Sequence, residues 1–497
     1  MENYIKIHPK DNVAVALTDL PAGTSLQIEQ NCLQLTEAIP QGHKFALKEI
    51  KADQAIIKYG SSIGHANADI SVGTHVHSHN LKTSLSDKID YIYQPADVTL
   101  QQKENSSRAT FNGYLRGNGK VGIRNEIWII PTVGCVNNVA QHIAKLAKEK
   151  FSDCNNIDDF IPFPHPYGCS QLGDDQENTR KILADLCMHP NAGGVLLLGL
   201  GCENSGVEEV KAYIEDFDAF NIRTLISQEV EDEVESALEI LAELVEKAAE
   251  CNRQPLPLSK LVIGVKCGGS DGLSGITANP LVGRFSDRLT AHGGSVLLTE
   301  VPEMFGAETE LFNRCANQSV FTKAVKMIND FKDYFIRHEQ PIYENPSPGN
   351  KAGGITTLEE KSLGCTQKSG SCIVSDVLNY GEVVKASGLS LLSAPGNDLV
   401  ASTALAAAGA QLILFTTGRG TPFASPVPTM KISSNTPLAE KKTGWIDFDG
   451  GRMLTEDLAR CLDAFWQLVL ATANGKKTKS EQAGYHDMAI FKQNVTL

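Results

Sequence analysis

The segment Val72-Gly-Thr-His-Val-His-Ser-His-Asn80 concentrates three histidines at alternate positions. If it is extended, His75, His77 and His79 share one face, and imidazoles so placed suit a divalent cation. The bland reading is a polar edge strand whose rings hydrogen-bond water or backbone. A second set is thiol chemistry. Cys135, Cys169, Cys202 and Cys267 each stand at or just after the end of an apolar run. They are 34, 33 and 65 residues apart, which matches one, one and two strand-helix units. They can therefore converge on one sheet crest, where open α/β sheets bind ligands. A helix start near each favours thiolate, whereas the bland reading is a small residue fitting a tight turn.

Cations in Gly-rich loops form a third set: Arg116, Lys120, Arg124, Lys266, Lys351 and Arg419. Each is a candidate clamp for a carboxylate, set against the commoner fate of a solvated surface charge. Arg419 leads because its loop follows a buried run. Carboxylates at Asp174, Glu203, Asp271, Glu300, Glu303 and Asp398 offer oxygen ligands, although helix capping is the first expectation for Asp174 and Asp398.

The elements that must position these groups follow from pattern. Residues 1–80 show short apolar runs broken by Gly and Pro, which predicts a small β-rich module. Residues 81–108 turn polar and read as a linker. From 109 to 253 apolar runs alternate with helical stretches: Ile127–Val133, Phe160–Phe163, Val195–Leu200 and Arg223–Ile226, the last followed by a helix near Glu229–Glu250. Residues 254–497 repeat that alternation. The apolar stretch Leu399–Phe415 contains Ser402, Thr403 and Gln411 and reads as a helix followed by a buried strand. The predicted fold class is α/β, a small N-terminal module followed by two α/β domains with largely parallel sheets.

Composition excludes several functions. The 497 residues carry 45 Lys plus Arg against 59 Asp plus Glu, a net charge of −14, which argues against nucleic acid. No export signal or spanning segment is expected, so the twelve cysteines are read as reduced thiols of a cytoplasmic protein with no membrane partner. Gly117-Asn-Gly-Lys-Val-Gly122 fits the dinucleotide glycine pattern, but the apolar run follows it, which reverses the strand-then-helix order. No phosphate loop of the Gly-Lys-Ser/Thr kind is present, and a Ser-His-Asp hydrolase is a weak reading.

Several long segments together resemble the altronate and galactarate dehydratase family of sugar-acid dehydratases. They are Gly113–Asn125, His165–Gln171, Gly199–Asn204, Cys267–Pro280, Glu300–Glu308, Asn345–Asn350 and Thr416–Pro422. The histidine-bearing module looks like that family's β-clip (SAF) domain. The resemblance implies a hydro-lyase that converts D-altronate to 2-dehydro-3-deoxy-D-gluconate in hexuronate catabolism. Galactarate or a related sugar acid is the alternative, and a carbohydrate-binding sensor the reading from another class. It implies a divalent metal, Fe2+ or else Mn2+, with His75, His77 and His79 as ligands; an iron-sulfur cluster on Cys135, Cys169 and Cys202 is the competing cofactor. Lys266 or His165 would be the base, with Arg124, Arg419, Asn204, Ser270 and Asp271 binding substrate in a homo-oligomer.

Overall fold

The computed structural model describes residues 3–28, 31–85, 91–96 and 109–497. Most of the expected linker, including the polar run Gln101–Ser107, lies outside the described residues.

The N-terminal module is built from antiparallel strands. Tyr4–Ile5, Val13–Ala16, Lys44–Ala46 and His75–Val76 pair in that order, beside a second sheet of Ala55–Lys58, Ser61–Ala66 and Leu81–Lys82. Its strands are short because Gly and Pro interrupt every run, and its core is correspondingly small: Val13, Ala46, Ile56, Ile63 and Val76 on one side, Leu26, Leu35 and Phe45 on the other. The expected histidine strand is shorter than its spacing suggests. It ends at Val76, where Asn80 accepts from the His77 N–H and closes a turn, so His77 and His79 are carried by that turn.

Each of the two larger domains has a parallel sheet, as continuous apolar runs buried on both faces require. In the second domain the order is Phe160–Pro162, Glu126–Pro131, Ala192–Gly199, Ile222–Ile226. Helix Glu233–Ala249 covers it, capped by Asp232, whose carboxylate accepts from Val234 and Glu235 N–H. The third domain has seven parallel strands, with Val262–Cys267 in the middle between Ser295–Leu298 and Leu412–Thr417. The stretch Leu399–Phe415 divides into helix Asp398–Ala407 and strand Leu412–Thr417. No described helix is long and apolar enough to cross a membrane.

The glycine-rich segment 116–120 is the tip of a hairpin between Thr110–Leu115 and Val121–Gly122, in keeping with the rejection of a phosphate turn there. One feature differs from expectation. The segment near residue 253 is itself a strand, Arg253–Pro257, which pairs with Thr110–Leu115 along five residues. The chain thus enters and leaves the second domain side by side.

Among the contacts that seat the N-terminal module on the third domain, one carboxylate is the most deeply buried. Glu360, on helix Leu358–Thr366, takes Lys44 Nζ at 2.8 Å and Lys58 Nζ at 2.8 Å, all three side chains being 1% exposed. Burial alone would raise the carboxyl pKa, but the two ammonium groups outweigh it and hold Glu360 well below the usual range. Thr356 adds its N–H and hydroxyl to the same oxygen. Glycines make the close approach feasible: a Cβ on Gly272 would lie 1.9 Å from Gly42 O, and Gly354, at φ +99°, would place one 2.4 Å from it.

Breaking a buried ion network by removing one partner costs about 3–5 kcal/mol. Glu360→Gln is therefore expected to unseat the module, measured as faster hydrogen exchange at 42–80 and a lowered unfolding midpoint. Unchanged exchange there would refute this role.

Candidate functional site

The antiparallel register that pairs Phe45 with His75 brings a further histidine, His43, to the end of the same sheet. His43 Nδ1 lies 3.0 Å from His75 Nε2, and the rings of His43, His75 and His77 are 5.1–5.3 Å apart. His79 follows, 5.7 Å from His75, on the exposed rim. The cluster faces the short helix Pro348–Ala352 of the third domain. His77 Nε2 is 2.9 Å from Lys351 O, and His43 Nε2 is 3.3 Å from Ala352 O. A ring N–H given to a backbone carbonyl fixes the tautomer, and the opposite nitrogens are engaged as well, His43 Nδ1 with His75 Nε2 at 3.0 Å and His77 Nδ1 with Ser78 Oγ at 3.0 Å. Burial is the main cause that lowers the pKa of all three rings, that of His75 to about 3 with His43 and His77 adding repulsion. Neutral imidazole is the ligating form. Imidazole is a donor type that suits a divalent cation, but as placed the nitrogens of the three rings do not all fall within 4.8 Å of one another, so ligation requires the rings to turn.

The same short helix meets the third-domain crest. Arg419 is exposed, its Nη1 is 3.4 Å from Gly349 O, and its own N–H is held by Gly269 O. Asn350 reaches back to Ser270 O at 2.8 Å. The histidines, Arg419 and the Ser270–Asp271 turn thus surround one stretch, 348–354.

Other candidates have structural posts. All five guanidinium donors of Arg124 are spent, on Glu481 twice and on the carbonyls of Ile123, Thr472 and Lys476, and it is 0% exposed. No donor is left for a substrate carboxylate. Asp271 accepts from Ser274, Ser434 and Asn435 side chains and so ties two turns together; Ser270 is buried with its carbonyl taken. His165 is buried, with Nε2 2.7 Å from Pro131 O and Nδ1 accepting from Tyr167 N–H. Asn204 Oδ1 accepts from Ser170 N–H, knitting two second-domain loops. No hydrogen bond among the described residues joins His165 or Asn204 to the histidine cluster.

Lys266 is 0% exposed and donates to Glu300, Asp398 and Cys267 O. Burial opposes its charge, but Glu300 and Asp398 outweigh that and raise its pKa, so it holds a proton rather than taking one. Asp398 serves this ion pair, while Asn397 caps the helix in its place. Nearby, Cys267 lies against Cys365, Glu303 and Lys368, and Lys361 pairs with Glu303 at 2.7 Å. Of this group only Cys267, Lys266 and the carboxylates drew attention in the sequence; Cys365, Lys361 and Lys368 sit in a helix and turn with no local motif. Cys135, Cys169 and Cys202 are exposed at the second-domain crest.

Sequence models of three domains match consecutive stretches: the altronate/galactarate dehydratase SAF domain over residues 2–84, the D-galactarate dehydratase/altronate hydrolase second domain over 113–249, and the D-galactarate/altronate dehydratase C-terminal domain over 258–496. The chain belongs to the altronate/galactarate dehydratase family. Within that family it is 53% identical to an altronate dehydratase of Bacillus subtilis (strain 168), over 100% of both chains. It is 52% identical to an altronate dehydratase of Escherichia coli (strain K12), over 99% of this chain and 100% of the relative. A galactarate dehydratase (L-threo-forming) of Escherichia coli (strain K12) is 33% identical over 98% and 96%.

The buried state of His165 has a pH signature. Its native pKa is lowered to about 4 by burial, against an ordinary value of 6.5. Between those values the unfolded chain takes up a proton that the native ring refuses, so its contribution to stability falls as pH drops through the window. The loss is ~1.4 kcal/mol per pH unit. Urea unfolding of wild type and His165→Gln should diverge in this sense between pH 7 and 5; parallel profiles would contradict a buried neutral ring.

Proposed function

We propose that the chain is a hydro-lyase that removes water from D-altronate, giving 2-dehydro-3-deoxy-D-gluconate. The observation that carries the substrate assignment is the contrast between 52–53% identity to altronate dehydratases and 33% to the galactarate enzyme. Loss of the C2 proton and the C3 hydroxyl yields an enol that becomes the 2-keto-3-deoxy acid.

The proton beside a carboxylate is weakly acidic, so negative charge must be stabilised as it leaves. His43, His75 and His77 would hold a divalent cation, Fe2+ by preference, which would supply this stabilisation as a Lewis acid. Arg419, exposed above the 348–354 stretch, is suited to grip the carboxylate. The base moves from Lys266 and His165 to His79. Lys266 is held protonated and both nitrogens of His165 are engaged, whereas His79 is exposed on the rim of the cluster and its ring makes no hydrogen bond among the described residues. Lys266 keeps the crest in shape by joining the ends of two strands to the start of helix Asp398–Ala407.

The full chain, reduced and supplied with Fe2+, is expected to produce a 2-keto acid from D-altronate faster than from galactarate, and to lose activity on chelation. No keto acid from altronate would defeat the assignment. The histidines should separate by role. His43→Ala, His75→Ala and His77→Ala lower metal affinity about 10–100-fold together with activity. His79→Gln should keep the metal and reduce kcat roughly 100-fold or more. Metal loss in His79→Gln would return that ring to the ligand set.

A further inference from the structure

Away from the histidine cluster, the interior of the third domain gathers two thiols and a carboxylate. Cys267 ends the central strand, Cys365 stands on helix Leu358–Thr366, and Glu303 ends the turn Val301–Glu303. Their facing atoms form a nearly equilateral triangle: Sγ to Sγ 3.3 Å, Cys267 Sγ to Glu303 Oε2 3.4 Å, Cys365 Sγ to the same oxygen 3.2 Å. Among the described residues this is the group of three such side chains whose ligand atoms all lie within 4.8 Å of one another. Metal-sulfur bonds of about 2.3 Å and metal-oxygen bonds of about 2.0–2.2 Å place tetrahedral ligands roughly 3.6–3.8 Å apart. The triangle is within a few tenths of an ångström of that face.

The surroundings suit ligation. Lys361 holds Glu303 Oε1 at 2.7 Å, which turns Oε2 toward the thiols, and Lys368 Nζ is 3.0 Å from Cys267 Sγ. Such outer contacts orient ligands. Glu300 Oε2, 3.9 Å from Cys267 Sγ, borders the same face.

We propose that Cys267, Cys365 and Glu303 form a buried site for a thiophilic divalent cation such as Zn2+, built from side chains other than those of the histidine cluster. As the cation enters, each thiol that is protonated releases its proton to solvent and the sulfur takes the metal bond. All three side chains are buried, and three protein ligands leave the fourth position of a tetrahedral cation to a further donor. The cation would tie the central strand to the helix that also carries Glu360.

The test uses the full chain, reduced, stripped by chelator and titrated with Co2+. The expected result is a thiolate-to-cobalt charge-transfer band with the visible bands of four-coordinate cobalt, saturating at one equivalent. The band should persist in a His75→Ala/His77→Ala variant and when Cys135, Cys169 and Cys202 are serine. It should vanish, with Co2+ binding at least tenfold weaker, in Cys267→Ser and Cys365→Ser. On the unmodified chain, Zn2+ should slow alkylation of both thiols at least tenfold, read by peptide mass spectrometry, a measurement independent of variant folding. Absence of the band, its survival in both serine variants, its loss with the histidines, or unprotected thiols would each overturn the site. A band without altronate turnover would defeat the functional reading and leave this one standing.

Discussion

Everything at the site depends on a pair of lysines meeting one glutamate inside the protein. The module's core clusters are modest, and one of them takes in Ala307 and Leu363 of the third domain. Charge neutralisation by Glu360 of Lys44 and Lys58 adds direction to that apolar contact, because each oxygen is claimed by a different strand. Lys44 stands next to His43, so the anchor and the imidazole cluster share one strand. A buried ion pair is weak evidence for added stability but good at specifying one geometry, and a site assembled from two domains needs geometry above all.

The fold was legible where a residue's neighbours in sequence are also its neighbours in function. Alternating apolar runs and helices disclosed the parallel sheets, and Ser402, Thr403 and Gln411 rightly divided one long apolar stretch. The His75 and His77 pairing was visible from spacing, though a turn rather than an extended strand presents it. His43 was hidden because its partnership arises from cross-strand register, which no local pattern records. Cys365 was hidden in the same way, since it meets Glu303, itself a candidate from the sequence, only after helix Leu358–Thr366 packs beside the central strand.

Cations were the least faithful guide. On a chain with net charge −14, a cation in a glycine-rich loop looks free for an anionic ligand. Inside, however, Arg124 and Lys266 are occupied by the chain's own carbonyls and carboxylates, because an unpaired buried charge is too costly to keep. Arg419 differs in a way composition cannot reveal: it is exposed and has no carboxylate partner among the described ion pairs.

The neck formed by Thr110–Leu115 and Arg253–Pro257 carries an implication for how such proteins diversify. Because the polypeptide goes out and returns through adjacent antiparallel strands, the second domain is topologically a cassette, and its removal leaves ends already in register. Domains whose termini lie close together tolerate transplantation. The two flanking modules can therefore keep their mutual contacts while the unit between them is exchanged, lengthened or recombined.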